Sequence, residues 1–431
     1  MQPFSRFVAL WKAPDLRKRV LIIVGLLVVF RIASHIPVPG IEAENLRRFF
    51  EGNNLIGLLN IFSGGGLSRL SLAMLGVGPY ITASIVMQLL TVIIPQLELL
   101  QREEGEAGRQ KIQMYTRLLA VPLGIVQAFG FLTILQRGSS GGSLGAKLVF
   151  TPTELLITII TVTAGSILLM WIGELITEQG LGNGASLIIF VGIISQVPLS
   201  FQQTISLYDP TKIPVYLVFA IIAIVVTAGV VFVTEAQRNI PVSYAKRVRG
   251  GKLMGGVSTH LPLRVNQAGV IPIIFALSLL LFPGVIAQFF ATSGNAIIAS
   301  FARSVVSLFN NSAFYGIFYF VLVVAFTYFY TAVTFDPKRI AEHLQKQGGF
   351  VPGIRPGAAT IKYLKQVTNH ITLAGAVFLG VIAVSPLVAQ GFTKMNTLTV
   401  GGTGLLIVVS VILETMKQVD AQLTMREYEN T

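Results

Sequence analysis

Ten long runs of apolar residues dominate the pattern of this chain. They cover about 20–37, 74–95, 115–136, 153–176, 184–204, 213–234, 267–290, 313–334, 370–390 and 399–418. Each is close to the roughly 20 residues a helix needs to cross a bilayer. Apolar and polar positions do not alternate within them, so the pattern predicts helices and not strands. The first run follows Arg17-Lys18-Arg19 and ends at His35-Ile36-Pro37-Val38-Pro39 with no small-residue cleavage site. That predicts a retained first helix and not a signal peptide. The stretch 55–72 is different, because Ser63-Gly64-Gly65-Gly66 and Arg69 interrupt its apolar start. It is too short and too rich in glycine to span. A re-entrant half-helix buried within protein is one physical solution, and an outer loop with an interfacial turn is the other.

Composition agrees with this pattern. Of 431 residues, 53% are hydrophobic and only 12% are charged, about half the roughly 25% charge of soluble domains. The mean hydropathy is +0.73. These values exclude an ordinary soluble enzyme, a disordered chain and a disulfide-rich secreted module. They indicate an all-α polytopic membrane protein. Cysteine is absent, which excludes disulfides and thiolate chemistry.

The formal charge of +13 matters through its distribution. With the N-terminus placed in the cytoplasm, roughly three-quarters of the Lys and Arg fall on cytoplasmic segments, which predicts both termini inside. Two long connections, 235–266 and 335–369, carry much of this charge and are expected to protrude. Their bland reading is a topology signal with anionic lipid contact. The sharper reading is a docking surface for an acidic partner such as ribosomal RNA or an acidic protein patch.

Ten spans divide into five and five near Asp209-Pro210, giving an N-terminal half, 1–207, and a C-terminal half, 208–431. An odd number of spans per half predicts two pseudo-symmetric inverted halves with a pathway at their interface.

Chemistry-bearing motifs are missing. Gly250-Gly251-Lys252 lacks the spacing and the Ser or Thr of a nucleotide-binding loop. The four histidines, His35, His260, His343 and His370, are scattered, which speaks against a zinc site. No Ser/His/Asp set sits at membrane depth, and carboxylates such as Glu154, Glu174 and Glu414 lie towards span ends. Ion-coupled carriers usually place acidic groups nearer the midplane. No catalytic residue, metal or cofactor is therefore expected. What remains is the profile of a passive pathway opened by a partner.

Several strings then carry a resemblance. Ile36-Pro37-Val38-Pro39-Gly40 follows the first run. Asn60-Ile61-Phe62-Ser63-Gly64-Gly65-Gly66-Leu67-Ser68-Arg69 leads to Gly76-Val77-Gly78-Pro79-Tyr80-Ile81-Thr82-Ala83-Ser84-Ile85. Gly105-Glu106-Ala107-Gly108-Arg109, Gly180-Leu181-Gly182-Asn183-Gly184 and Ala268-Gly269-Val270-Ile271-Pro272 follow. Phe350-Val351-Pro352-Gly353-Ile354-Arg355-Pro356-Gly357 and Gly401-Gly402-Thr403 complete the set. In order and spacing, nearly end to end, the chain resembles the bacterial SecY family, the channel subunits of the Sec translocon.

The resemblance implies a pore between two five-helix halves, a plug half-helix, an apolar ring at the waist and a lateral gate to lipid. Unfolded polypeptides would pass through, and apolar segments such as signal peptides would leave sideways. It implies the small subunits SecE and SecG, with the ATPase SecA or a ribosome docked on the cytoplasmic loops. The family's ring positions fall on Val77, Ile81, Ala185, Ile189, Ile274 and Ile407. Ala185 departs from the bulkier residue common there, which implies a wider ring, a greater part for the plug or a shifted register. A ring of branched apolar side chains excludes ions by dewetting and offers a sliding chain no strong binding. The plug is expected at Asn60, Ile61, Phe62, Ser63, Gly64, Gly65, Gly66, Leu67, Ser68, Arg69 and Leu70. Lateral-gate candidates are Ser84, Gln88, Gln127, Asn266 and Ser278. Docking candidates are Lys246, Arg247, Arg249, Lys252 and, in its proline-bounded turn, Arg355. A small-solute carrier and an insertase without a through-pore are the competing classes. The first is opposed by the missing coupling carboxylates, the second by the lack of a polar groove open to lipid.

Overall fold

The computed structural model describes residues 13–38, 63–67, 69–102, 105–140, 151–206, 213–244, 247–249, 252–254, 258–291, 295–393 and 396–429. In chain order these form α1 (Pro14–Ala33), α2 (Gly78–Ile93), α3 (Pro95–Arg102), α4 (Gly105–Ser140), α5 (Pro152–Glu178), α6 (Gly184–Ser206) and α7 (Ile213–Glu235). Next come β1 (Gln237–Tyr244), β2 (Arg247–Arg249), β3 (Lys252–Met254) and β4 (Ser258–Arg264). The chain continues with α8 (Ile271–Phe290), α9 (Ala296–Asn310), α10 (Ser312–Thr334), α11 (Pro337–Lys346), β5 (Gly349–Phe350), α12 (Ala358–Thr393) and α13 (Asn396–Glu429). Every one of the ten apolar runs falls on a helix. By length and apolarity alone, four described helices qualify as spans, or five if the bent pair α2–α3 is counted as one.

Local chemistry sets several boundaries. Pro95 forces Ile94 out of the helical region to φ −98°, ψ 112°, and α3 leaves α2 at a 105° bend. At the start of α5 the Thr151 hydroxyl accepts from the Glu154 N–H at 3.4 Å, and the Glu154 carboxylate accepts from the Thr151 N–H at 2.9 Å. Pro152 takes the first helical position, where no backbone donor is needed. Asp336 caps α11 by accepting from the N–H groups of Lys338 and Arg339.

The chain forms two compact units. One comprises 1–219, 277–315 and 386–431, the other 220–276 and 316–385.

In the first unit α2 packs on α4, α4 on α5, α5 on α6, and α6 on α13. A side chain at Gly184 would run into the carbonyl of Gly173, so α5 and α6 meet backbone to backbone, a contact only small residues allow. One end of this unit is tied by polar groups. Arg19 donates to the Gln179 carbonyl at 3.3 Å, Gln422 to the Gly180 carbonyl at 2.7 Å, and Arg426 pairs with Asp15 at 2.9 Å. The residues after the tenth apolar run thus continue α13 as a helix that returns to the start of α1.

In the second unit the two basic connections are not loose loops. β1 and β4 form an antiparallel hairpin with Ile240 opposite Leu261. From the other connection β5 pairs with the far end of β1, Ser243 opposite Phe350, giving the order β4-β1-β5. Ile240, Leu263, Ala341, Val351, Leu364, Val367 and Ile371 make a buried core beneath the sheet.

Candidate functional site

Of the stretch 55–72, expected as a plug half-helix or as an outer turn, only the latter part is described. Residues 55–62, including Asn60, Ile61 and Phe62, lie outside the described residues, as does Ser68. The described remainder is a chain of turns. Gly64 and Gly65 take φ of 65° and 84°, conformations that interrupt a right-handed helix and favour glycine. Leu70, at φ 43°, does the same without being glycine.

This turn is buried. Ser63, Leu67 and Leu70 are each at most 2% exposed. Leu67 and Leu70 enter a core with Val38, Met74, Phe131, Leu132 and Leu135. The Leu67 N–H donates to the Ser63 hydroxyl at 3.0 Å, and the Ser71 N–H to the Gly66 carbonyl at 2.9 Å. Beyond the turn, the Val38 N–H donates to the Leu70 carbonyl at 2.8 Å and the Leu72 N–H to the Ile36 carbonyl at 2.9 Å. Ile36-Pro37-Val38 therefore acts as a short strap along one side of the turn.

Two neighbours hold its tip. Half-buried Arg31 of α1 donates from Nη1 to the Gly64 carbonyl at 3.0 Å. On the other side α6 leaves no room, since a Cβ at Gly64 would lie 3.1 Å from the Gly192 Cα. A Cβ at Gly65 would run into the side-chain amide of Gln196. Arg31 lies within the first apolar run, and nothing in the linear chain names its partner. An arginine within an apolar run was the available signal, because such a group needs an acceptor.

Of the ring candidates in the first unit, Ile189 lies about one turn before Gly192, which abuts this tip. Val77 caps α2 and Ile81 lies one turn on, its N–H donating to the Val77 carbonyl at 3.0 Å. They are 1% and 7% exposed, Ile189 of α6 is 0% and Ile407 of α13 is 1%. Ala185 is half-buried. A Cβ at Gly404 of α13 would lie 2.9 Å from Ile193 Cγ2, and the neighbouring Gly192 abuts the Gly64 turn. So α6 carries, within one turn after Ile189, its contacts with both the glycine turn and α13. In the second unit, Ile274 of α8 is 4% exposed.

Three of the gate candidates donate hydrogen bonds. Gln88 donates to the Ser84 hydroxyl at 3.2 Å on the same face of α2. Gln127 of α4 donates to the Thr82 hydroxyl of α2 at 3.4 Å. In the second unit, Asn266 donates to the Gly269 carbonyl at 3.2 Å. The carbonyl oxygens of the Gln88 and Asn266 side chains are buried and have no partner among the described residues. Such groups are costly to leave unmade. Ser278 is half-buried on α8.

A further polar contact escaped sequence reasoning. Glu174 of α5 is 7% exposed and accepts from Arg117 Nε at 2.7 Å and from Gln113 Nε2 at 3.1 Å, both on α4. An acidic residue in an apolar run pointed to a buried partner, but nothing in the linear chain named Arg117.

Of the docking candidates, Lys246 lies outside the described residues. Arg249 pairs with Lys252 in the β2–β3 hairpin and Arg247 pairs with Met254, as backbone register positions. Arg355 is exposed on a braced turn. Val351 is buried and Ile354 packs on the same core. The Ile354 N–H donates to the Val351 carbonyl at 3.0 Å, and the Thr360 hydroxyl to the Arg355 carbonyl at 3.0 Å. Arg238, Arg264, Lys338, Arg339, Lys346, Lys362 and Lys365 are also exposed in this unit.

Among the described residues no cluster of His, Asp and Glu could hold a metal. A mostly helical chain with long apolar helices, a buried glycine turn and a basic sheet-bearing unit defines a polytopic membrane protein. Comparison with known proteins makes this specific. A SecY family profile matches residues 71–416. The chain is 42% identical to the protein translocase subunit SecY of Mycobacterium bovis, over 99% of both chains. It is 43% identical to that of Streptomyces galbus, again over 99% of both. This chain belongs to the SecY family.

Solved structures share the fold at lower identity. A protein-conducting channel superimposes with a TM-score of 0.64 at 21% identity, covering 92% of this chain and 90% of that one. Sec61 from a canine ribosome–channel complex gives 0.62 at 20% identity, with the same coverage.

Proposed function

We propose that this chain is the protein-conducting channel subunit of a bacterial Sec translocon. Unfolded secretory polypeptides pass through it, and apolar segments leave sideways into lipid. The observation that carries this is family membership along the whole chain, 42% identity over 99% of a protein translocase subunit SecY. The chain itself is no enzyme in this reading, and a docked partner supplies the energy.

The finer parts are proposals of the same kind. Ten spans form inverted halves at 1–207 and 208–431, with both termini in the cytoplasm of a cell bounded by this inner membrane. Val77, Ile81, Ala185, Ile189, Ile274 and Ile407 form the ring. Burial of Val77, Ile81, Ile189 and Ile407 in one unit supports a shut apolar waist. Residues 60–70 are the plug, and the glycine turn against Gly192 supports its seat one turn from Ile189. Ser84, Gln88, Gln127, Asn266 and Ser278 line the gate. The Gln127–Thr82 hydrogen bond between α4 and α2 supports polar contacts among these helices. Lys246, Arg247, Arg249, Lys252 and Arg355 receive SecA or the ribosome, supported by the exposure and bracing of Arg355. SecE and SecG complete the complex.

The test is conductance and transport in reconstituted bilayers containing the chain and its small subunits. The wild type is expected to be nearly silent to ions, and deletion of 60–70 to open frequently. With the motor ATPase and ATP, an unfolded precursor should become protease-protected inside vesicles. Failure of precursor entry, with ion-dependent uptake of a small solute instead, defeats the reading.

A further inference from the structure

Helix α9 belongs to none of the ten apolar runs. Its 15 residues extend about 22 Å at 1.5 Å per residue, short of the roughly 30 Å hydrocarbon core. Five residues separate it from α8, and only Asn311 separates it from α10. If α8 and α10 both cross, α9 lies on the face where one leaves and the other enters.

Its surface has three distinct strips. Ala299 and Ala302, 6% and 3% exposed, face the protein. Ile297, Phe301 and Leu308, 78%, 72% and 48% exposed, recur at helical spacing on an outward stripe. Ser300, Arg303 and Ser307 form a polar edge between the two. The hydroxyls of Ser300, Ser304 and Ser307 donate to backbone carbonyls of their own helix at 2.8–3.1 Å, which mutes their polarity. Arg303 Nε donates to the Ala291 carbonyl at 3.3 Å, tying α9 to the end of α8. Its terminal guanidinium nitrogens have no partner among the described residues. The helices on either side of α9 also display apolar residues where they flank it, Phe290 of α8 at 43% and Phe314 of α10 at 37% exposure.

In water such a stripe would be a liability. At a membrane surface it fits the boundary between headgroups and acyl chains, where amphipathic helices bury an apolar face by about 5–10 Å. We infer that α9 is a lipid-seated helix. Ile297, Phe301 and Leu308 enter the acyl chains of one leaflet, and Arg303 reaches a phospholipid phosphate. Lipid is chosen over a protein partner because Phe290 at the end of α8 and Phe314 at the start of α10, which flank α9 along the chain, are themselves exposed and apolar. The inference rests on the reading of α8 and α10 as spans.

The absence of cysteine makes the test direct. Phe301→Cys and, separately, Val321→Cys are labelled with an environment-sensitive fluorophore in the full chain. Val321 is 53% exposed midway along α10. Each is reconstituted in phosphatidylcholine–phosphatidylglycerol vesicles with bromine near the head or near the end of the acyl chains. A label at 301 should be quenched mainly by shallow bromine and little by aqueous iodide. A label at 321 should be quenched by deep bromine. Iodide access at 301 without bromine quenching overturns the lipid seat while 321 still reports a span. Shielding at 301 that appears only when the small subunits are added also overturns it, by identifying a protein interface. Loss of bromine quenching at both positions overturns the spanning reading and this inference with it.

Discussion

The turns at 63–67 and 351–357 are comparable in kind. Each is short, holds glycine, and is anchored by two apolar side chains within it or just beyond it. Leu67 and Leu70 do this in the first unit, Val351 and Ile354 in the second. They end in opposite environments. In the first turn the backbone is the ligand, and the Gly64 carbonyl is held by Arg31 between α1 and α6. In the second the backbone is only a stand, and the Arg355 side chain projects into solvent. The difference teaches that glycine composition marks a bent backbone but not its purpose. The purpose follows from whether neighbours contact the main chain or leave a side chain displayed.

The largest effect should come from reversing the displayed charge. Arg355→Glu should leave the turn intact, because Val351, Ile354 and Thr360 brace it without the guanidinium. A like charge placed against an acidic partner costs about 3 kcal/mol or more, roughly a hundredfold in docking. Motor- or ribosome-driven precursor transport should therefore collapse while the melting temperature stays unchanged. Undiminished transport would remove Arg355 from the docking surface, and a lost fold would show that the turn is structural after all.

The buried turn should respond in the opposite sense, by opening. Arg31→Ala removes a charged donor from the Gly64 carbonyl, an interaction of about 1.5–3 kcal/mol. Channel openings in planar bilayers should become roughly tenfold to a hundredfold more frequent. Gly65→Val should act in the same direction, through collision with Gln196 and strain at positive φ. If both variants remain as silent as wild type, Arg31 and the glycines do not hold the seal.

Much of this comparison was legible beforehand, and the remainder was hidden for physical reasons. The ten apolar runs each became helix because a period-free apolar stretch of that length has few alternatives. The SecY resemblance rested on glycine and proline strings that fix backbone geometry. Hidden features were mostly non-local. β5 reaches β1 from more than a hundred residues away, and the exposed charges of both strands' connections read as loop. Within β1, Pro241 sits between buried Ile240 and Val242, and a proline there weakens any strand signal. Arg31 meeting Gly64 and Arg117 meeting Glu174 depend on helix packing that no linear spacing expresses. Helix α9 was passed over because its serines and Arg303 broke the apolar run.

The Arg117–Glu174 pair offers a third comparison within the first unit, since it is a charge contact away from the glycine turn. Breaking a fully buried pair costs about 3–5 kcal/mol, but Arg117 is 41% exposed. Solvent reduces the expectation for Glu174→Gln to about 1–3 kcal/mol. The measurement is thermal unfolding in detergent, with Arg117→Gln and the double variant alongside. Stability should fall, openings should not rise, and the double variant should lose less than the two single losses combined. A rise in openings would mean that this pair, like Arg31, bears on the seal.

The smallest effect concerns whether the amides assigned to the gate are engaged inside their own unit. Gln127 donates to Thr82 across α2 and α4, and Gln88 donates to Ser84 along α2. Hydrogen bonds between membrane helices average about 0.6 kcal/mol, so Thr82→Val should change transport of a precursor with a weakened signal peptide by about twofold to threefold. Its partner variant, Gln127→Leu, removes the same bond from the other side. If the bond is energetically real, the double variant should resemble either single one, with a coupling of that size in a double-mutant cycle. Strict additivity would show that Gln127 acts elsewhere. That would return it to a contact made across the gate, with Thr82 merely a neighbour on the adjoining helix.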